Sequence, residues 1–231
     1  MKRIGIIGGI GPESTLDYYR GIIDAFRKSN GGQNYPEIIV YSADLGELLE
    51  IVDANDLDKL VEWLLTRIEA LQRAGAEFAA IASNTPHVVF DEVQKRSPLP
   101  LISIVEATCN KAESLGMRRL GLMGTRFTMQ ADFFEKPFRA RGMTVAVPTP
   151  EEQLFIHEKL FSEIELGIIK SETRDALLTI VKRMIERDSI DSLILGCTEL
   201  PLILPGEAHG ILFLNTSAIH VESIIRHCLG S

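Results

Sequence analysis

Residues 81–87 read IASNTPH and 194–200 read ILGCTEL. Each stretch is an apolar run of strand length that ends in a small polar side chain with a threonine close behind: Ser83 with Asn84 and Thr85, Cys197 with Thr198 and Glu199. A thiol is a good general base once its pKa drops below the free value of ~8.5. The pattern predicts a helix start directly after Cys197, whose N–H groups and dipole would favour the thiolate. Thr198 would donate a hydrogen bond there, and Glu199 would orient a proton or position an amine. Asn84 and Thr85 offer donors suited to a carboxylate, and Thr125, in MGTRFTM, offers another. Each of the four residues Asn84, Thr85, Thr125 and Thr198 could equally cap a helix. Four of them at strand ends, beside one thiol, favour binding.

Other candidate chemistry falls away on inspection. GIIGGIG imitates the dinucleotide fingerprint, but its glycines stand at 5, 8, 9 and 11, which is the wrong spacing. The segment Gly9, Ile10, Gly11 is expected instead to let a small ligand approach backbone, with Pro12 opening a helix. His87 follows Ser83 by four residues, and His157, His209, His220 and His227 are scattered. None pairs with acidic residues at ligand spacing, so no metal is expected. Three cysteines without paired spacing make neither a disulfide framework nor a zinc site and fit reduced thiols in a cytoplasmic protein. Cys109 shares a helical face with Val105, Ala112 and Leu115 and reads as core; Cys228, near the last residues, is given no role.

The elements that must hold these residues alternate. Strands are expected at 3–8, 37–42, 77–82, 101–104, 119–124, 143–148, 192–196 and 211–214. Helices of 3.6 period lie between them, one with Leu57, Leu60, Leu64, Ile68 and Leu71 on a face and Gly75 as its stop, another with Leu177, Leu178, Val181, Met184 and Ile185. Such alternation means parallel sheets covered by helices, the α/β class. The chain also repeats itself: RIGIIGGIGPESTLDYYRGI (3–22) resembles RLGLMGTRFTMQADFFEKPF (119–138), and the interval from Gly5 to Ser83 matches that from Gly121 to Cys197 within two residues. Two similar lobes facing one cleft follow as an expectation. Ser83 and Cys197 would then stand at carboxyl ends of strands, where ligands of parallel sheets bind, and address two faces of one molecule.

Composition narrows the partners. In 231 residues, 45% are hydrophobic and 24% charged, ordinary for a globular chain long enough to bury a core. The net charge is −8 and no basic block occurs, which argues against nucleic acid. MKRIGIIGG mimics a signal peptide, but its short apolar run is broken by glycines and reads as a first strand. No apolar stretch approaches the ~20 residues of a membrane helix.

Taken together, GGIGPEST (8–15), SNTPH (83–87), LMGTRFTM (122–129), GCTEL (196–200) and NTSAIH (215–220) resemble, in order, the motifs of the aspartate/glutamate racemase family, enzymes that move the α-proton of an amino acid. The resemblance implies two lobes, each with a four-stranded parallel sheet related by a pseudo-twofold axis: 1–99 plus 206–231, and 100–205. It further implies a homodimer, no cofactor, an amino acid or related carboxylate as substrate, and one catalytic cysteine per lobe. By that likeness Cys197 is the base that meets the L-enantiomer, and Ser83 stands where the second cysteine would be. Three further departures bear on specificity. No basic residue lies from Ser42 to Asp58, Leu166 stands where members acting on aspartate carry a lysine, and Asn215 replaces an aspartate. Arg126 is a candidate substitute. A one-cysteine decarboxylase or isomerase of the same superfamily, and a non-catalytic amino-acid-binding protein, are the alternatives.

Overall fold

Strand β1 (Ile4–Gly8) is buried along its whole length, and the computed structural model, which describes residues 1–30 and 34–230, shows what covers it. It lies between β2 (Ile38–Ser42) and β3 (Phe78–Ile81), parallel to both, with Ile4 opposite Ile38 and Phe78. The short β4 (Leu101–Ile102) extends the sheet beside β3, giving the order β2-β1-β3-β4. Helix α1 (Pro12–Asn30) links β1 to β2, α2 (Leu45–Asp53) and α3 (Leu57–Arg73) link β2 to β3, and α4 (Phe90–Arg96) links β3 to β4. Successive strand residues point to opposite faces. Ile7 therefore packs with Leu60, Leu64 and Ile68 of α3, while Ile4 and Ile6 pack with Tyr18, Ile22 and Phe26 of α1.

Local chemistry sets where these helices start and stop. The Asp44 side chain accepts the Gly46 N–H at 2.7 Å to cap α2, and Asp56 accepts the Lys59 N–H at 3.0 Å to cap α3. Gly75, at φ 100°, turns the chain out of α3 as expected. The apolar stripe of α3 is buried from Leu60 to Leu71, but Leu57 in the first turn is exposed.

The second sheet is built from β5 (Arg119–Met123), β6 (Thr144–Ala146), β7 (Ser192–Leu195), β8 (Glu207–Ala208) and β9 (Ile211–Asn215), in the order β6-β5-β7-β9-β8. Helix α5 (Ile104–Ser114) leads into it. The short α6 (Arg126–Gln130) and α7 (Glu135–Ala140) join β5 to β6, and α8 (Pro150–Ser162) and α9 (Ser171–Asp188) join β6 to β7. Thr149 and Glu152 form a reciprocal capping box at the start of α8. Met123, Leu193, Leu195 and Phe213 meet Ile156 and Leu160 of α8 and Leu177, Val181 and Met184 of α9 in one core. Cys109 is buried as expected, whereas Leu115 at the end of its helix is exposed.

Two expectations need correction. This sheet has a fifth strand: β8 pairs antiparallel with β9 through the two-residue turn His209–Gly210, both at positive φ, which suits a tight hairpin. A two-residue strand carries no readable alternation. The boundaries also move. The compact units are Met1–Ile104 with Ser217–Ser231, and Val105–Thr216. Pairing decides this, since β4 hydrogen-bonds to β3 of the first sheet and β9 to β7 of the second. Only α10 (Thr216–Leu229) returns, where Val221, Ile224 and Cys228 join the α1 side of the first core.

The turn after β1 gives a direct test. Gly9 sits at φ 81°, and a Cβ there would be driven into the backbone of Ala43. Gly9→Ala should cost at least about 2 kcal/mol, read as a lower urea midpoint. An unchanged midpoint would mean that the β1–α1 turn is not held in this conformation.

Candidate active site

In the first unit the turn after β1 is tied down by its own side chains. The Gly9 N–H donates to Thr15 Oγ1 at 2.8 Å, and Ser14 Oγ donates to the Gly11 carbonyl at 2.8 Å. Gly9 and Gly11 both have positive φ, and Ile10 between them is buried. The Gly9 amide is thus engaged within the turn. After β3 come Ser83, half-buried, and Asn84, buried; a 3-10 turn, Thr85–Val89, follows. The Asn84 side chain does not cap that turn. The Ser83 carbonyl accepts from His87 Nδ1 at 3.0 Å.

In the second unit Cys197 follows β7 and is only 6% exposed. Its thiol donates to Glu199 Oε2 at 3.1 Å, and Thr198 Oγ1 donates to the same oxygen at 2.7 Å. A third acid completes the group: the ligand-type atoms of Glu165, Cys197 and Glu199 all lie within 4.8 Å of one another. Glu165 stands in a 3-10 turn, Ile164–Leu166, closed by Gly167 at φ 72°. That turn is anchored by Glu163, a buried carboxylate held by Lys159 at 2.6 Å, by Lys170 at 3.0 Å and by Thr173. Hydrogen bonds from Lys159, then Thr173 and Lys170, pull the Glu163 carboxyl down to about 2.

The electrostatics reverse one expectation. No α-helix starts after Cys197; a 3-10 turn of three residues, Leu200–Leu202, follows Glu199. Burial raises the Cys197 pKa well above its ordinary value, and the neighbouring Glu199 and Glu165 charges push it further up, against one favourable backbone hydrogen bond from Glu199. Burial, then Glu199, likewise raises Glu165 to about 7. A thiol and two carboxyls share too little room for three negative charges, which is why Cys197 and Glu165 both hold their protons more tightly than they would in water. A divalent cation could satisfy the same three ligand atoms. Their donor set is also complete without one, as thiol and threonine both donate to Glu199.

Thr125 does serve as a cap. It precedes α6, where its Oγ1 accepts the Thr128 N–H at 3.3 Å. Beside it the Arg126 side chain is exposed, while its backbone N–H donates to His157 Nδ1 at 3.4 Å. Leu166 is 67% exposed. The candidates thus form one group in each unit: Gly9, Ile10, Gly11, Ser83, Asn84 and Thr85 at strand ends of the first, Thr125, Cys197, Thr198 and Glu199 at strand ends of the second. Sequence reasoning passed over Glu165. The segment SEIELG carries two acids two residues apart, and only the fold separates the salt-bridged Glu163 from Glu165 beside the thiol.

Residues 7–224 match the family model described as Asp/Glu/hydantoin racemase. The broad specificity amino-acid racemase RacX of Bacillus subtilis (strain 168) is 25% identical over 225 residues, 96% of each chain. The crystal structure of an aspartate racemase homologue from Pyrococcus horikoshii OT3 superimposes with a TM-score of 0.86 at 36% identity, covering 99% of this chain and 100% of that one. Glutamate racemase from Aquifex pyrophilus shares the fold, with a TM-score of 0.69 at 18% identity over 97% of this chain and 83% of its own.

The acid cluster makes a prediction about stability. Glu165 binds its proton more tightly folded than unfolded, so its contribution is fully present below the unfolded value of 4.5 and is lost as pH rises through about 7. Glu165→Gln should flatten the fall in urea stability between about pH 5 and about pH 8. A wild-type profile that rises over this interval because of Glu165 would contradict the arrangement.

Proposed function

From the premise that the chain belongs to the Asp/Glu/hydantoin racemase family, and is therefore an isomerase, we propose that it moves the α-proton of an amino acid. Cys197 acts as the base on one face of the α-carbon, and Ser83 occupies the position that addresses the other. The observation that carries this reading is the buried Cys197 thiol donating to Glu199, with Glu165 beside it.

The chemistry follows from the proton count. The thiol cannot ionise alone among two carboxylates, because burial and both charges oppose it. It can pass its proton to Glu199, along the hydrogen bond already present, once the α-ammonium of a bound amino acid supplies the missing positive charge. The thiolate then takes the α-proton, and the C–H electron pair moves into the substrate carboxylate as an enediolate. Return of a proton from the thiol restores the same enantiomer; delivery from the opposite face inverts it. A serine hydroxyl at position 83 can hydrogen-bond there but is a poor proton donor or base by itself. Inversion should therefore lag behind exchange. Thr125 and Thr198, with Asn84 and Thr85, would hold the substrate carboxylate.

The same cluster weighs against the decarboxylase alternative. A disubstituted malonate carries two negative charges and no ammonium, and two glutamates beside the thiol would repel it. A protein that only binds amino acids would show no α-proton exchange at all.

In D₂O, L-amino acids should gain α-deuterium faster than they become D, as followed by NMR beside chiral chromatography, and Cys197→Ala should stop uptake. Persistent uptake in Cys197→Ala would remove this thiol from the mechanism, and no uptake by any amino acid in the intact protein would leave binding alone. Ser83→Cys should accelerate inversion and bring exchange of the two enantiomers closer to equal. If inversion is already as fast as exchange with Ser83 in place, some other group is the second base.

A further inference from the structure

Two histidines that the proposed chemistry does not use lie fully inside the first unit. His87, in the 3-10 turn after Ser83, and His220, in the second turn of α10, are buried, with ring centroids 6.4 Å apart at 80°. Both rings have both nitrogens engaged, and the partners fix the protons. The Ile104 backbone N–H can only donate, and it points at His87 Nε2 at 3.3 Å, so Nε2 is the acceptor. The proton must then sit on Nδ1, which donates to the Ser83 carbonyl at 3.0 Å. In His220 the assignment is opposite. Nε2 lies 2.8 Å from the Ile102 carbonyl and must donate, so Nδ1 accepts from the Tyr18 hydroxyl at 2.7 Å. Phe90 stacks on the His87 ring at 5.0 Å and 7°, and Tyr18 meets His220 edge-on.

The consequence is local and specific. His87 bridges the loop carrying Ser83 to the chain just past β4, and His220 holds the end of β4 itself through Ile102. We propose that His87 is the positioning residue for position 83: its Nδ1–H grips the Ser83 carbonyl while its Nε2 is held by Ile104, fixing where the side chain at 83 meets the substrate. The inference rests on the racemase reading for what position 83 does, but the clamp itself is a property of the first unit. A second proton on His87 would set a donor against the Ile104 N–H, and burial with the nearby His220 already lowers its pKa to about 3. The imidazole is thus a neutral spacer with a defined donor end and a defined acceptor end.

Two amide substitutions separate those ends. An asparagine amide overlays the Nδ1 position and can still donate to the Ser83 carbonyl, whereas a glutamine amide reaches the Nε2 position and can serve only Ile104. Each is made in the Ser83→Cys background, where both faces can be followed by α-deuterium uptake from the D- and the L-amino acid. In His87→Gln, uptake from the D-enantiomer should fall about tenfold while uptake from the L-enantiomer, served by Cys197, stays within about twofold. His87→Asn should recover most of the loss. A parallel fall on both faces, or recovery by Gln and not by Asn, would overturn the assignment.

A measurement independent of turnover keeps the clamp and the function apart. Nitrogen-15 NMR of the unmodified protein should show His87 neutral with its proton on Nδ1 and His220 neutral with its proton on Nε2. A proton on Nε2 of His87 would overturn the proposal whatever the catalytic result. Absence of exchange in every variant would overturn the racemase reading alone, and the tautomer would still decide the clamp.

Discussion

A parallel sheet brings its strands to a common edge, and there the ladder stops while the backbone still carries donors and acceptors that need partners. Much of the local structure here answers that demand. The Ala43 N–H donates to the Gly8 carbonyl, Ala82 to Ile7, and Gly196 to Met123, so the chain leaving each strand is tied to the end of its neighbour. Thr15 takes the Gly9 amide, and Thr216 Oγ1 donates to the Leu195 carbonyl at 2.8 Å. Small residues and threonines accumulate at these edges for that reason before any question of substrate arises. What distinguishes a site from a well-finished edge is a polar group whose bonds go to other reactive side chains. Among the candidates, that describes Cys197, Thr198 and Glu199, with Glu165 arriving from a separate turn.

Fixing an acid next to a thiol takes structure elsewhere. Glu165 would relieve its repulsion from Glu199 by swinging toward water if its turn were loose. The turn is held because Glu163, two residues earlier, draws in Lys159, Lys170 and Thr173. Both lysines are committed there, while the charged neighbours that shift Cys197 and Glu165 are themselves acids. The arrangement gathers two carboxyls and a thiol at one strand end, where each negative charge formed opposes the next. On the proposed reading a ligand carrying an ammonium group is its complement, and the charge of that ligand would be linked to the ionisation of Cys197.

The strand–helix alternation and the internal repeat were legible in the chain because they rest on periodicity. Leu60, Leu64 and Ile68 at helical spacing, and IGII and the LIL of β7 as continuous buried runs, are dictated by burial. The edges of elements were less legible. Leu57 and Leu115 continue an apolar stripe in the sequence, yet one lies in the first turn of α3 and the other just past the end of α5, where the chain has already left the core. The unit boundary was misplaced at both crossings, because β4 and β9 choose their sheet by hydrogen-bond partners that no residue pattern announces. The strand-end residues could be named since a motif marks them, but their charge state could not. Lowering the Cys197 pKa was inferred from a helix start that is only a 3-10 turn, and the acids that raise it include Glu165, thirty-two positions away in the chain.

The two strand ends with which the sequence opens differ in more than one atom. Around Cys197 the neighbours are side chains with protons to exchange: a thiol, a hydroxyl and two carboxyls. Around Ser83 the defined neighbour is an imidazole whose bonds go to backbone, to the Ser83 carbonyl on one side and the Ile104 amide on the other. The first arrangement can move charge; the second can hold geometry. A serine suits the second, since a hydroxyl needs a fixed direction more than a tuned pKa to be useful as a hydrogen-bond donor. A cysteine placed there would inherit the geometry without a carboxylate shown to receive its proton. The difference between Ser83 and Cys197 therefore lies as much in what surrounds each position as in the side chains themselves, and under the proposed mechanism a thiol at 83 would have to rely on substrate or solvent for the proton transfer assigned to Glu199 at 197.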